Sequence, residues 1–260
     1  MKIDLHTHTI YSDGDYSLIE LLLHAQKNKV DILSIADHNT VKAYYELNEI
    51  NINKYFSGKI LKGVEITTYH KDKVVEILGY GIDIEKMNKF LVDAYSDEWA
   101  INKQKVVFKQ LMHIADKLGL IYNKQLNIDI NKGESSVFLK NLKSFEENKK
   151  ILGNELWAGK INFFRDLINN KKSPFHIDFS IFFKKPKQII DFIHKCGGKA
   201  FLAHAYTYRF KNTRQLLDDM KNLNIDGIEC YYPLFTKRNC IFLLNYCNEN
   251  NLLVSAGSDF

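Results

Sequence analysis

Short apolar runs that end in polar residues recur along the chain and predict seven strands. The runs read KIDLHTH, VDILSIADHN, KILKGVEITT, KVVEILGYGI, GKAFLAHA, DGIECYY and NLLVSAGSD. Between several of them, LIELLLHAQKN, KQIIDFIHKCG and TRQLLDDMKNLN carry apolar residues at helical spacing. Strands that alternate with helices are typical of parallel strands joined by crossover helices, so the pattern predicts an α/β fold.

The alternation of strand and helix patterns is interrupted from about residue 88 to about residue 180, where the sequence is rich in lysine and asparagine. The segments WAINKQKVVFKQLMHIADKLG and NFFRDLINNKK within it read as helices. We therefore expect one domain over residues 1–260 that carries a helical insertion at about 88–180.

Polar side chains of metal-ligand type stand at or near the ends of the predicted strands. His6 and His8 are two residues apart in an extended segment, so they project from the same face. The corresponding residues of the other runs are Asp37, His38, Glu65, Glu76, His204, Glu229 and Asp259. A barrel of parallel strands gathers such ends at one mouth, whereas an open sheet spreads them along a crevice. The large number of ligand-type residues at strand ends favours a closed barrel.

Each of these residues also has a plainer interpretation. His6 and His8 could be surface or capping histidines, and Asp37 with His38 could form a turn after the second strand. Asp37 is better suited to cap backbone amides than to bind metal, and Glu229 fits barrel filling or support of a neighbouring ligand. His204 follows the apolar run AFLA, where an unpaired imidazole would be costly, so it requires a ligand or a firm hydrogen bond.

The stretches DLHTHTIYSDG, ADHNT, KGVEITT, LAHA and GSD occur in this order, and together they resemble the PHP (polymerase and histidinol phosphatase) superfamily. The GGKAFLAHA and DGIECYYP segments fit the same resemblance, which covers nearly the whole chain. It implies a distorted seven-stranded (β/α) barrel with two or three divalent ions, Mn, Zn, Mg or Fe, at the carboxyl mouth.

The resemblance also implies which side chains bind the ions, and these are His6, His8, Asp13, His38, Glu65, Glu76, His204 and Asp259. The first ion takes the HxH pair and the last aspartate, with Glu65 as a bridging carboxylate. The second takes Glu65, His204 and Glu76, and the third takes Asp13 and His38.

Two departures from the family pattern stand out. Glu76 occupies a position where relatives carry a histidine, and a carboxylate there favours Mn or Mg over Zn. The family also ends its last strand with SDxH, whereas this sequence stops at Ser258, Asp259 and Phe260. From this ending we expect a truncated C-terminus and weak binding of the third ion.

The function that the resemblance implies is hydrolysis of a phosphate monoester by metal-activated water. The expected substrate is a small phosphorylated molecule or a nucleotide, as in AMP or nucleoside 3′,5′-bisphosphate phosphatases, or a short oligonucleotide. Arg209 is the expected phosphate clamp, ahead of Lys160, Arg165 and Arg238, and His204 and Asp13 are the further candidate catalytic residues. The alternatives are histidinol phosphatase and a PHP module that has lost its activity and acts as a binding domain.

Composition adds limits to this picture. The 260 residues carry a net charge of +5, mostly from scattered lysine, and arginine is scarce, which argues against stable binding of duplex nucleic acid. No apolar run reaches the roughly 18 to 20 residues that span a bilayer, and we expect a cytoplasmic protein without membrane contact. Four cysteines without CxxC pairing predict reduced thiols.

Overall fold

Strands and helices alternate along the chain, which confirms the predicted mixed α/β fold. The structure is a computed structural model, and it describes residues 1–130 and 132–260. The strands are β1 (Ile3–Thr7), β2 (Ile32–Ile35), β3 (Lys59–Ile60), β4 (Gly63–His70), β5 (Lys73–Tyr80), β6 (Lys199–Leu202), β7 (Gly227–Tyr231) and β8 (Leu253–Ala256).

The α-helices lie between and after these strands. They are α1 (Leu18–Lys27), α2 (Lys42–Glu49), α3 (Ile84–Ala94), α4 (Asp97–Leu118), α5 (Glu134–Lys143), α6 (Lys149–Leu152), α7 (Asn154–Trp157), α8 (Pro186–Lys195), α9 (Thr213–Asn222) and α10 (Lys237–Glu249). Short 3-10 turns cover Ile52–Lys54, Glu146–Asn148 and Ala205–Tyr208, and a π-helical turn covers Phe163–Ile168. Among the described residues, no helix is both long and apolar enough to cross a membrane.

The strands form one sheet of three and one of five. The order is β1-β2-β3 in the first sheet and β4-β5-β6-β7-β8 in the second. The first sheet is parallel, as are the pairs β6–β7 and β7–β8, but β5 runs antiparallel to β6. The prediction of parallel strands throughout is therefore wrong at β5, and a closed seven-stranded barrel is not confirmed.

The reversal of β5 has a local cause in the turn that precedes it. Lys71 and Asp72 both have positive φ, of 46° and 64°. Two consecutive residues in this region are typical of a tight hairpin turn, which joins antiparallel strands. A crossover helix would be needed to keep the strands parallel, and two residues are too few for one.

An eighth strand arises because the predicted run Lys59–Thr68 is divided by the hydroxyl of Tyr44. This hydroxyl donates to the carbonyl of Ile35 at 2.8 Å and accepts from the backbone N–H of Gly63 at 2.7 Å. It therefore takes up backbone groups that would otherwise pair strand with strand. The short β3 ends before this point, and β4 begins after it.

Backbone hydrogen bonds also link the two sheets near the strand ends. The N–H of Asn39 donates to the carbonyl of Glu65 at 2.8 Å, which joins the segment after β2 to β4. On the other side, the N–H of Asp259 donates to the carbonyl of His6 at 2.8 Å, and the N–H of His8 donates to that of Phe260 at 2.7 Å. The ends of β1, β2, β4 and β8 are thus fixed to one another.

Helix α1 illustrates how the sequence builds the crossovers. Ser17 and Glu20 form a capping box, in which the Ser17 N–H donates to the Glu20 carboxylate at 2.9 Å. The residues Leu18, Leu21, Leu22 and Ala25 then bury one face of the helix. Because that face packs inward, the chain returns to start β2 parallel to β1.

The chain divides into two compact units. The first comprises residues 1–70, 75–94 and 183–260, and the second comprises 71–74 and 95–182. In the second unit, α4 is capped by Ser96 and ends at Gly119, whose φ of 70° suits a residue without Cβ. The Gln104 amide in that helix bonds both the N–H and the carbonyl of Asp129. The arrangement of a single domain with an insertion stays a prediction.

Candidate metal centre

The predicted ligand residues meet around one carboxylate in the first unit. Glu65, on β4, is fully buried, and three imidazole nitrogens approach its two oxygens. His6 Nε2 and His38 Nδ1 lie 3.1 Å from Oε2, and His204 Nε2 lies 3.2 Å from Oε1. The ends of β1, β2, β4 and β6 therefore contribute to a single cluster.

His6 is held on its other side by a second buried carboxylate. Its Nδ1 lies 2.9 Å from Glu229 Oε1, while its Nε2 points toward Glu65 and lies 3.4 Å from Asp259 Oδ1. Because the Glu229 carboxylate can only accept, Nδ1 carries the proton of a neutral ring, and the lone pair is on Nε2. Glu229 also accepts the backbone N–H of His204 at 2.7 Å.

His8 and Asp259 form the part of the cluster next to the end of the chain. His8 Nε2 lies 3.0 Å from Asp259 Oδ1, and the other Asp259 oxygen accepts the Tyr232 hydroxyl at 2.7 Å. Asp4 accepts both the N–H and the hydroxyl of Ser258, at 2.9 and 2.7 Å. This pair fixes the segment after β8 against β1 and so sets the position of Asp259.

The loop after β1 carries Asp13, the most exposed member of the cluster. Its carboxylate oxygens lie 3.6 Å from His8 Nδ1 and 3.6 Å from His38 Nε2, and 58% of the side chain is exposed. Buried Asp37 holds this loop by accepting the N–H and hydroxyl of Thr9 and the hydroxyl of Ser12 at 2.7 to 2.8 Å. Asp37 thus caps backbone and hydroxyl groups, as the sequence predicts.

His204 and Glu76 meet on the far side of Glu65. His204 Nε2 lies 3.5 Å from Glu76 Oε2, and its Nδ1 lies 3.0 Å from the Thr207 hydroxyl. Glu76 Oε1 is also 3.8 Å from His38 Nδ1. Glu76, which stands where the family resemblance implies a histidine, therefore directs its carboxylate into the same cluster.

The charges of the cluster perturb one another strongly. Burial alone would lower the pKa of His6, but the carboxylates of Glu65 and Glu229 raise it well above its usual value. Burial likewise opposes protonation of His38, yet Glu65 and Asp13 raise its pKa to about 9. Conversely, the pKa of Glu65 is held well below its usual range by His6 and His38 in spite of burial. The carboxylates of the cluster therefore favour a positive charge at His6 and His38.

Unpartnered atoms indicate what the cluster is suited to hold. Among the described residues, His6 Nε2, His38 Nδ1 and both Glu65 oxygens are buried and make no hydrogen bond. Buried polar atoms normally have partners, so potential ligand atoms that converge without a hydrogen bond indicate a place for a cation. Imidazole nitrogen together with carboxylate oxygen is a donor set of divalent transition metals.

Three overlapping groups of these side chains have ligand atoms within 4.8 Å of one another. The groups are His6, His8, Glu65 and Asp259; His8, Asp13 and His38; and His38, Glu65 and Glu76. The residues present therefore fit a divalent metal at more than one position.

The remaining sequence-based candidates are the cations considered for binding phosphate. Arg209 is exposed and ends the 3-10 turn that follows His204, with a φ of 55°. Lys160 and Arg165 belong to the second unit, and Arg238 is exposed on α10. A phosphate clamp formed by Arg209 stays a prediction.

Sequence reasoning missed the supporting roles of Asp4 and Tyr232. Asp4 lies next to the HxH pair and Tyr232 next to the predicted Glu229 strand, but their partners are 254 and 27 residues away. The one signal in the sequence for these supporting roles was that Asp4 and Tyr232 lie beside predicted site residues. Glu229, expected as filling or support, contacts both His6 and His204.

No family model matches the chain, but individual proteins do. It is 26% identical to a 5′-3′ exoribonuclease of Haemophilus influenzae, over 100% of this chain and 89% of that protein. It is 25% identical to the 5′-3′ exoribonuclease Rnm of Escherichia coli, over 99% of this chain and 84% of that protein. The resemblance to the PHP superfamily predicted from the motifs is confirmed by these relatives.

A solved structure from Bifidobacterium adolescentis, provisionally described as a metal-dependent phosphoesterase, has a similar fold. It aligns with a TM-score of 0.68 and 21% identity, and covers 100% of this chain and 87% of that chain. This likeness shows the fold alone.

Proposed function

We propose that this chain, which resembles the PHP superfamily in motifs and relatives, is a metal-dependent phosphoesterase acting on a nucleotide or a short oligonucleotide. One observation carries the proposal: buried Glu65 presents two unpartnered oxygens to three imidazole nitrogens at 3.1 to 3.2 Å. The curated relatives named as exoribonucleases support the oligonucleotide class.

The groups of ligand atoms suggest how ions are shared. One ion would take His6, His8, Asp259 and Glu65, which form one of these groups. A second would take Glu65 with His204 and Glu76, since His204 Nε2 lies 3.2 Å from Glu65 and 3.5 Å from Glu76 although it is in none of the three groups. Asp13 would hold a third ion with His38. Held by these residues, divalent ions would supply Lewis-acid polarisation of a phosphoryl oxygen and activation of water as the nucleophile.

The protein's own side chains keep the ligands in a usable state. Glu229 holds His6 with the lone pair on Nε2, and Thr207 bonds the other nitrogen of His204. Asp13 is exposed and next to two histidines, so it is placed to meet a substrate from solvent. Arg209 is the proposed clamp for a phosphate oxygen.

We further propose that seven strands close into the distorted barrel that the family resemblance implies. The isolated parallel bridge between His38 and Glu65 joins β2 to β4, and the backbone bonds of His6 and His8 join β1 to the segment after β8. Strand β3 would then lie outside the ring as a short edge strand.

The test is a substrate panel in the presence of Mn²⁺. We expect release of product from a 5′-phosphorylated oligoribonucleotide, AMP or a nucleoside 3′,5′-bisphosphate in preference to histidinol phosphate. A preference for histidinol phosphate would refute the substrate class, and no hydrolysis of any of these would favour the inactive binding module. The double variant His6→Ala, His8→Ala should be inactive; if it hydrolyses the substrate, the metal mechanism is wrong.

A further inference from the structure

Four partly exposed aromatic rings form a continuous series that begins at the candidate metal centre. They come from the 3-10 turn after β6, from the loop after β7 and from α10. The rings belong to Tyr206, Tyr232, Phe235 and Phe242, which we call the aromatic strip.

The first ring of the strip belongs to the metal centre itself. Tyr232 donates its hydroxyl to Asp259 Oδ2 at 2.7 Å, and its ring centroid is 5.2 Å from that of His204. The turn after β7 bends here, where the N–H of Phe235 donates to the Tyr232 carbonyl at 2.9 Å. This turn brings the next ring alongside.

From there the rings follow at short intervals. The centroid of Phe235 is 5.2 Å from that of Tyr232, and Tyr206 is 5.4 Å from Phe235. Phe242 then lies 6.4 Å from Tyr206. Each step is within the 4.5 to 7 Å range in which aromatic rings interact, so the four rings form a connected surface.

These rings are less enclosed than the aromatic side chains of the core. Tyr246 and Phe56 are each 1% exposed, whereas all four members of the strip are only half-buried. Beside the strip, Leu234 is 71% exposed. The rings that adjoin the candidate metal centre therefore keep part of their surface open to solvent.

Positive charge accompanies the strip. Lys237 and Arg238 are exposed in the first turn of α10, which holds no acidic residue. Arg238 is close enough to Tyr206 to oppose the rise in its pKa that burial causes. Cations in the first turn of a helix are disfavoured by the helix dipole. A bound phosphate would neutralise the charges of Lys237 and Arg238 and interact favourably with the helix dipole.

We propose that the aromatic strip binds the nucleobases of a single-stranded oligonucleotide whose scissile phosphate lies at the metal centre. The inference rests on the proposed function and adds to it the surface that binds the bases of the oligonucleotide. Stacking on aromatic side chains strengthens binding of any base, since every base has a π-face. A small phosphate ester without a base would leave the strip unused.

The competing explanation is that these rings only pack α10 against the 3-10 turn after β6. Binding and packing make different predictions for ligands that differ only in their bases. An oligonucleotide with abasic sites keeps the charge and the phosphates of the parent but cannot stack. Packing alone predicts equal affinity for the two oligonucleotides.

The experiment measures binding of a 3′-fluorescein-labelled, 5′-phosphorylated octanucleotide by anisotropy in EDTA, so that hydrolysis is not required. It compares this ligand with the same octamer carrying abasic residues at its second to fourth positions. For Phe235→Leu and Tyr206→Leu we expect Kd for the intact octamer to rise about 5- to 100-fold, since tenfold corresponds to about 1.4 kcal/mol. The abasic octamer should bind weakly to the wild type and no more weakly to the leucine variants.

Three further variants serve as controls. Phe235→Tyr and Tyr206→Phe keep a ring and should restore binding of the intact octamer. Phe192→Leu removes a half-buried ring that stacks on Phe90 at 3.9 Å, and it should bind like the wild type. Tyr232 is left unchanged because it contacts Asp259.

Kinetics with Mn²⁺ separate this proposal from the proposed function. The Phe235→Leu and Tyr206→Leu variants should raise KM for the octamer, whereas Phe192→Leu should leave it unchanged. If the intact and abasic octamers bind the wild type equally, or if the leucine variants bind the intact octamer as the wild type does, the strip is packing and this proposal is wrong. If binding depends on the rings but no substrate is hydrolysed, the proposal that the aromatic strip binds bases is supported and the phosphoesterase proposal is wrong.

Discussion

Replacing Glu229 by glutamine tests whether a buried carboxylate sets the tautomer of His6. Glu229 accepts the backbone N–H of His204 at 2.7 Å and pairs with His6 Nδ1 at 2.9 Å. Glutamine has the same shape but only one acceptor oxygen. Because the backbone N–H cannot change its role, that oxygen stays with His204, and the amide NH₂ faces His6 Nδ1.

Nδ1 of His6 must then accept, which moves the ring proton to Nε2. That proton points at Glu65, 3.1 Å away, and removes the lone pair that a metal would use. We expect Mn²⁺ affinity to fall about 10- to 100-fold, which is about 1.4 to 2.8 kcal/mol, the usual effect of losing a partner behind a ligating histidine. Unfolding free energy in EDTA should fall by about 1 to 3 kcal/mol, because the Glu229 carboxylate that raises the pKa of His6 is replaced by a neutral amide.

Isothermal titration calorimetry with Mn²⁺ and urea unfolding in EDTA measure the two quantities separately. Glu249→Gln is the matched control, because Glu249 is an exposed carboxylate that pairs with Arg214 at 3.5 Å. A Glu229→Gln protein that binds Mn²⁺ within twofold of the wild type would refute the reasoning about the tautomer. A loss of Mn²⁺ affinity together with a fall in unfolding free energy of more than about 3 kcal/mol would instead indicate that the variant disturbs the fold.

Four further predictions address other parts of the site. Gly257→Ala places a Cβ 2.1 Å from His6 Cβ, so urea unfolding should show a loss of about 1 to 3 kcal/mol; unchanged stability would contradict this packing. Asp37→Asn leaves one acceptor for three donors and should cost about 1 to 3 kcal/mol, with faster amide exchange in the loop after β1; a protected loop would be inconsistent with it. Glu76→His should shift the preference measured by calorimetry from Mn²⁺ toward Zn²⁺, and an unchanged ratio would count against ligation by that carboxylate. The pKa of His38 is raised to about 9, so metal must displace its proton, and affinity should increase from pH 6.5 to 9 with proton release; pH-independent binding would oppose it. In metal-free protein the same shift contributes stability that is full below the unfolded pKa of about 6.5 and is lost as pH rises through 9.

Strand periodicity and strand ends are local signals, and they indicated side chains that lie close together in the structure. His6 and His8 share a face since side chains alternate along β1, and Glu65 follows the apolar start of β4. His204 follows the apolar β6, and its imidazole is paired, as burial requires. Local patterns of this kind predict which residues face one mouth without any knowledge of their partners.

What the sequence did not predict depends on contacts between distant segments. Asp4 fixes Ser258 from 254 residues away, and no local pattern distinguishes this pairing from an ordinary exposed aspartate. The intrusion of the Tyr44 hydroxyl between β3 and β4 is of the same kind. The reversal of β5, in contrast, is local, but neither Lys71 nor Asp72 is a glycine or asparagine that would have marked the tight turn.

The most direct test of the metal centre is anomalous X-ray diffraction at the manganese edge from crystals equilibrated with Mn²⁺. We predict an anomalous peak about 2.0 to 2.3 Å from His6 Nε2 that is shared with His8, Asp259 and an oxygen of Glu65. A second peak is expected on the other side of Glu65, toward His204. The absence of peaks among these side chains, or peaks only elsewhere on the protein, would contradict the account.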